Sequence, residues 1–218
     1  YALDRIEFVQ GPFDIRYAPG MKRRKTTSHL RIRRPDGEWQ EITVGDDRPL
    51  QFGNYRFYTS FNKGFAPVLT FTDRSGRSVT GAVHLPSYPL NAHRQGNNWT
   101  PPGTDKQIKL WLRFPDPVYD EDNDWSFRKP ADPMLTLIDG ERRVSLRLGD
   151  LADIDAGTVR FDGVRSWMGY TIAAGALTPW MLALGLVACL TLATHAWGKI
   201  AEKRVGRGAR PIEVGHVD

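Results

Sequence analysis

The sequence predicts an all-β, antiparallel, sandwich-like domain followed by one C-terminal transmembrane helix. Three observations support this prediction. Short stretches with alternating apolar and polar residues, separated by turn signals, run through residues 1–170. None of these stretches shows a convincing helical period of 3.6 residues. Residues 166–198 then contain no Asp, Glu, Lys or Arg.

The predicted strands are bounded by glycine, proline and aspartate turns. The clearest pair is a hairpin in which residues 135–138 turn at Asp139-Gly140 into residues 144–148. Residues 158–161 are expected to turn at Asp162-Gly163 and to lead to the membrane. The other predicted strands are residues 6–9, 13–17, 29–33, 42–44, 55–61, 68–72, 78–85 and 108–114.

The membrane helix is predicted at residues 177–197, LTPWMLALGLVACLTLATHAW. Its 21 residues, at about 1.5 Å each, cover about 30 Å, the thickness of the hydrocarbon core of a bilayer. Thr178 and Pro179 suit a helix start, and Trp180 and Trp197 lie where indole rings favour the membrane interface. The alternative, a buried helix of a soluble protein, rarely runs this long without a charge.

The chain is therefore expected to divide into an extracytoplasmic β domain (1–175), a transmembrane helix (176–198) and a basic cytoplasmic tail (199–218). Lysine and arginine dominate directly after the helix, whereas residues 150–165 hold four aspartates and two arginines. The positive-inside rule then predicts a bacterial inner (cytoplasmic) membrane protein whose bulk lies on the periplasmic or extracellular side. Residues 1–20 lack the apolar region of a signal peptide, so we expect an export signal or further helices upstream.

Several function classes lack their sequence signals. The one cysteine, Cys189, allows no intramolecular disulfide, and the chain has no Cys-x-x-Cys-His motif that would attach haem covalently. Nucleophile-elbow, phosphate-loop and dinucleotide motifs are absent from the sequence. We therefore predict that the protein is not an enzyme, and nucleic acid is not an expected partner of an exported domain.

Two charged runs are candidate binding motifs. The basic residues could contact lipid headgroups, an acidic partner or haem propionates, or could form a plain charged hairpin. They are Lys22, Arg23, Arg24, Lys25, Arg31, Arg33 and Arg34. Asp120, Asp122 and Asp124 have the alternate spacing of a calcium loop, but the glycine and the bidentate glutamate are missing, which favours a solvated loop. This run lies in one of two long predicted loops, residues 86–105 and 115–133, that could cover or contact something.

The five histidines form no metal-binding pattern in the sequence. They are His29, His84, His93, His195 and His216. His84 and His93 flank a loop and could converge. His195 is an ionisable residue inside the apolar stretch, and such residues are candidates for function, here as a haem ligand. Its position near the cytoplasmic end of the helix favours an interfacial role instead.

Two stretches resemble ResB-type cytochrome c biogenesis proteins of the system II maturation machinery. They are residues 49–60, PLQFGNYRFYTS, and residues 159–170, VRFDGVRSWMGY, the second followed by Pro179-Trp180 and the last membrane helix. The opening ALDRIEF and the Asp36-Gly37 turn are also similar to the family pattern. The resemblance covers most of residues 2–198 and indicates a short or N-terminally truncated member.

The resemblance implies a role in cytochrome c maturation, with haem delivery and apocytochrome handling by this chain and an integral membrane haem-handling partner. Haem would be shared with that partner, and the β domain could offer edge strands to an unfolded peptide. Tyr55, Phe57 and Tyr58 are then expected in the core or facing a partner, and Trp167 and Tyr170 at the bilayer surface. The alternatives are an accessory or structural subunit of a larger respiratory membrane complex, and an enzyme with an unrecognised site.

Overall fold

The computed structural model describes residues 6–34, 36–90, 92–175 and 177–208. The chain forms two compact units, Tyr1–Ala173 and Ala174–Asp218. The strands of the described residues are β1 (Phe8–Tyr17), β2 (Arg23–Arg33), β3 (Trp39–Gly45), β4 (Leu50–Phe52), β5 (Tyr55–Asp73), β6 (Ser78–Ala82), β7 (Gln95–Trp99), β8 (Ile108–Arg113), β9 (Trp125–Phe127), β10 (Met134–Asp139), β11 (Arg142–Leu146), β12 (Leu151–Ile154) and β13 (Gly157–Ala174). One helix follows, α1 (Thr178–Gly208).

The strands form three antiparallel sheets, which confirms the predicted all-β class. Their strand orders are β3-β2-β1-β9, β11-β10-β8-β7 and β12-β13-β5-β4. The long strand β5 also carries β6, which pairs with the second half of β5 at residues 68–72. All three sheets contribute to one apolar core, in which Ile15, Phe65 and Leu110 are fully buried. A smaller core surrounds Phe57.

The predicted hairpin at Asp139-Gly140 is confirmed. Asp139 pairs with Arg142, and Gly140 takes a positive φ of 59°, a conformation that glycine adopts without steric cost. The prediction of a turn at Asp162-Gly163 is wrong, because both residues lie inside β13, a continuous strand of 18 residues. Its neighbours β12 and β5 hold it extended, and the Thr70 hydroxyl of β5 donates a 2.5 Å hydrogen bond to Asp162.

Several strands differ from the predicted boundaries. Strand β5 joins two predicted strands into 19 residues, and β1 runs through Gly11-Pro12 with a register shift between Gln10 and Phe13. Strands β7 and β9 lie inside the two predicted loops. Both are edge strands of three to five residues. Short edge strands have too few residues to show a period, which is why the alternation did not reveal them.

The predicted membrane helix is confirmed as a helix long and apolar enough to cross a membrane. It begins at Thr178, as the threonine-proline pair indicates, and its apolar stretch Pro179–Ile200 has 22 residues, none of them buried. The backbone stays helical to Gly208, so the helix includes the first residues of the predicted basic tail (199–218).

Candidate functional site

Arg23, from the predicted basic run, is tied into the β domain. Its guanidinium donates a 2.6 Å hydrogen bond to the Thr59 hydroxyl and a 2.9 Å bond to the Ser60 carbonyl, and it forms an ion pair with Asp46. Partial burial alone would raise the pKa of Asp46, but the hydrogen bond and charge of Arg23 hold that pKa below its usual value. Arg23 therefore links β2 to β5 and is not free for a ligand.

Half of the other residues of the basic run form ion pairs, namely Arg24, Arg33 and Arg34. Arg24 forms a 3.0 Å ion pair with Asp124, so the basic run and the acidic run meet across about 100 residues of sequence. They line one cavity of about 810 Å³ together with Tyr17 and Trp125. Further along β2, Arg33 pairs with Glu7 at 3.0 Å. These contacts favour the charged-hairpin interpretation.

The acidic run is organised as a self-capped loop. The Asp120 carboxylate accepts the backbone N–H groups of Asp122 and Asn123, both at 2.9 Å, and these bonds lower the pKa of Asp120. Within the described parts of the chain, no three His, Cys, Asp or Glu side chains gather into a group that could hold a metal ion.

The histidines of the β domain have separate surroundings. The His84 ring packs 5.7 Å from Trp167, whereas the His93 ring lies 5.3 Å from Tyr119. His29 shares a 3.3 Å hydrogen bond with Thr43. His195 lies in α1, inside the apolar stretch that ends at Ile200, and haem ligation by it stays a prediction. His216 lies outside the described residues.

The aromatic residues singled out in the sequence are mostly structural. Phe57 is buried and Tyr55 is half-buried in the smaller core, whereas Tyr58 is exposed. Trp167 donates a 3.2 Å hydrogen bond to the Phe65 carbonyl, and the Tyr170 hydroxyl lies 2.9 Å from the Ser28 hydroxyl. Both half-buried side chains are therefore fixed to the β domain by these hydrogen bonds, and their place at the bilayer surface stays a prediction.

A buried lysine was missed in the sequence. Lys63 on β5 is 1% exposed, and its Nζ has no hydrogen-bond partner among the described residues. It lies 4.8 Å from the ring centre of Tyr17 and 5.8 Å from that of Phe127. Burial, together with the charge of Arg23, lowers the pKa of Lys63 to about 8. The sequence feature that could have indicated the burial of Lys63 is its position two residues before the apolar run that begins at Phe65.

The free edge of β6 is the best-formed candidate for binding a peptide. In the register with β5, Val83 and Leu85 donate their N–H groups to Pro67 and Phe65. Alternation along a strand then turns the N–H and C=O groups of Ser78, Thr80 and Ala82 away from β5. Among the described residues, no other strand pairs with this side of β6. We call these three residues the β6 edge.

An apolar cavity lies beside the β6 edge. It has a volume of about 270 Å³, and its wall includes Leu69, Phe71, Val79, Val83 and Trp99. Val79 and Val83 alternate with the β6 edge residues, so this face of the strand is apolar. A peptide strand added at the edge would find unpaired backbone groups and an apolar surface next to each other.

Comparison with protein-family models, with curated proteins and with solved structures finds no match for this chain. The class of the protein therefore follows from its architecture: an antiparallel β-sheet domain followed by a C-terminal helix that is long and apolar enough to cross a membrane.

Proposed function

We propose that the chain is a ResB-like membrane protein that acts outside the cytoplasm in cytochrome c maturation. In this proposal the β domain binds extended apocytochrome while an integral membrane partner handles haem. The sequence resemblance in residues 49–60 and 159–170 supports the assignment to cytochrome c maturation. The observation that carries the peptide-binding role is the β6 edge, with its unpaired backbone groups beside an apolar cavity.

An unfolded apocytochrome suits this edge physically. An added strand would exchange backbone hydrogen bonds with Ser78, Thr80 and Ala82, which requires no particular sequence in the peptide. Alternate apolar side chains could fill the cavity lined by Phe71 and Trp99 and give some selectivity. The role is binding rather than catalysis. Haem ligation and thioether formation are assigned to the partner and to the apocytochrome cysteines.

The role in maturation is tested by deleting the gene and staining membrane proteins for covalently attached haem. We expect haem to fall across all c-type cytochromes. Normal staining with the loss of a single respiratory activity would contradict the proposal and favour an accessory subunit of a respiratory complex.

The peptide-binding role is tested by a Thr80→Pro variant. The Thr80 N–H points away from β5, so proline removes an outward donor and leaves the ladder with β5 in place. We expect this variant to fold but to lose crosslinking to apocytochrome.

Thr80→Val is the matched control. It also removes the 2.7 Å hydrogen bond between the Thr70 and Thr80 hydroxyls but keeps the backbone donor. Equal crosslinking by both variants and by the parent chain would rule out strand addition at β6.

A further inference from the structure

The outer face of the sheet β11-β10-β8-β7 has an unusual charge distribution. Strand β8 alternates strictly, with Ile108, Leu110 and Leu112 buried. Its other side chains, Lys109, Trp111 and Arg113, point outward and are exposed. Arg143 of β11 lies on the same face. Lys109 is paired with Ile138 of β10, Ile138 is paired with Arg143, and directly paired residues point to the same side of a sheet. The outward positions of these four described strands hold three basic residues and no acidic one.

Trp111 lies at the centre of this face. It is 42% exposed, and it pairs with Gly96 on β7 and with Thr136 on β10. Gly96 has no side chain to cover the indole on that flank. A concave region of about 550 Å³ opens there, and its wall includes Arg94, Lys109 and Trp111. The guanidinium of Arg113 lies 5.9 Å from the Trp111 ring centre.

The basic residues of this face lack acidic partners. Among the described residues, no carboxylate lies within ion-pair distance of Arg94, Lys109, Arg113 or Arg143. By contrast, Arg24 and Arg33 of the basic hairpin are each paired with an acid. We call the surface of Arg94, Lys109, Trp111, Arg113 and Arg143 the Trp111 face. It presents uncompensated positive charge around one exposed indole.

We propose that the Trp111 face binds anionic phospholipid headgroups of the membrane that holds helix α1. Phosphates complement the four cations, and an indole ring favours the boundary between headgroups and acyl chains. Strand β13 ends at Ala174 and the helix begins at Thr178, so three residues connect the domain to the membrane segment. Such a short connection gives the domain a high effective concentration at the bilayer surface. The inference does not depend on the role in cytochrome maturation.

The test uses the full chain in nanodiscs of two compositions, phosphatidylcholine alone and an equal mixture with phosphatidylglycerol. Lipids with dibrominated acyl chains quench only tryptophans that reach the membrane. The difference in quenching between the parent chain and a Trp111→Phe variant isolates the signal of Trp111. We expect a clear loss of Trp111 fluorescence in the anionic nanodiscs, little loss in the neutral ones, and recovery in high salt.

Charge variants then separate lipid binding from mere proximity. The combined change Lys109→Gln, Arg113→Gln and Arg143→Gln should abolish the quenching of Trp111. The matched control, Arg31→Gln, Arg56→Gln and Arg165→Gln, removes the same charge from exposed positions on other strands and should leave the quenching intact.

Two results would overturn the proposal. Equal quenching in neutral and anionic nanodiscs would show that the net negative charge of the headgroups is not recognised. No quenching in either would show that the face is directed at something other than lipid, such as an acidic protein segment.

Discussion

The ammonium group of Lys63 lies 4.8 Å from the ring centre of Tyr17, inside a core that offers it no hydrogen-bond acceptor among the described residues. The aromatic face supplies part of the stabilisation that water gives an exposed lysine. The nearby positive charge of Arg23 opposes it, and burial also raises the pKa of Tyr17 to about 12. Lys63 is therefore a buried charge that costs the fold stability at neutral pH.

Replacing Lys63 with methionine should stabilise the β domain. Methionine fills a similar volume without a charge, so we expect the free energy of unfolding to rise by about 1–3 kcal/mol at neutral pH. Chemical denaturation of the purified full chain measures this. Lys25→Met, at an exposed position of β2, is the control and should change little. A destabilised Lys63→Met variant would mean that the cation is held by contacts worth more than its desolvation.

The stability of the parent chain should rise between pH 8 and pH 10. Folding lowers the pKa of Lys63 to about 8 from the ordinary lysine value of 10.5, so in this interval the unfolded chain binds more protons. Stability increases with pH wherever that is true, here by about 1–3 kcal/mol. Above pH 10 the raised pKa of Tyr17 acts in the opposite direction. The gain should be absent from Lys63→Met, and a flat profile in both chains would contradict it.

Gly64→Ala should destabilise the contact between β5 and β13. A Cβ at residue 64 would lie 2.8 Å from the Trp167 indole, which is itself fixed by its hydrogen bond to Phe65. We expect a loss of about 1–3 kcal/mol in the free energy of unfolding, as for other overpacked sites. Gly163→Ala on β13 is the control, because apart from its chain neighbours no atom of the described residues lies within 4 Å of its Cβ position. Similar losses in both variants would exclude this steric explanation.

The proposed sidedness can be tested with reporter fusions. A reporter active only outside the cytoplasm should be silent when fused after Asp218 and active when fused after Gly175 with the native export signal retained. Fusion after Gly175 keeps the whole of β13, which the core needs. Activity at Asp218 and silence at Gly175 would reverse the orientation.

A His195→Ala variant should insert normally and retain most of its activity. The residue lies toward the end of the apolar stretch Pro179–Ile200, where an imidazole can reach headgroups and water at little cost. Covalent haem staining of a strain carrying the variant measures the activity. Loss of haem that exogenous imidazole restores would instead identify His195 as a ligand.

Features that depend on neighbouring residues in the sequence were predicted well. The long apolar helix and its start at Thr178 follow from composition and from one threonine-proline pair. The hairpin at Asp139-Gly140 follows from turn chemistry. The burial pattern of β8 follows from strict alternation. Each of these signals is contained within a few residues, so no knowledge of the fold is needed to find it.

Tertiary structure alone decided the rest, because it depends on residues that are distant in sequence. Asp162-Gly163 has the composition of a turn, but pairing with β5 keeps it extended. In the sequence, the basic and acidic runs showed no sign of contact with each other, and the fold brings them together in the ion pair of Arg24 with Asp124. Lys63 became buried because Tyr17 of β1 and Phe127 of β9 cover it, and the Trp111 face exists because the strands of one sheet align their outward positions. Local sequence indicates the alternation and the candidate turns of a strand. Its neighbours in the fold decide whether a candidate turn forms and which charges are paired, buried or left exposed.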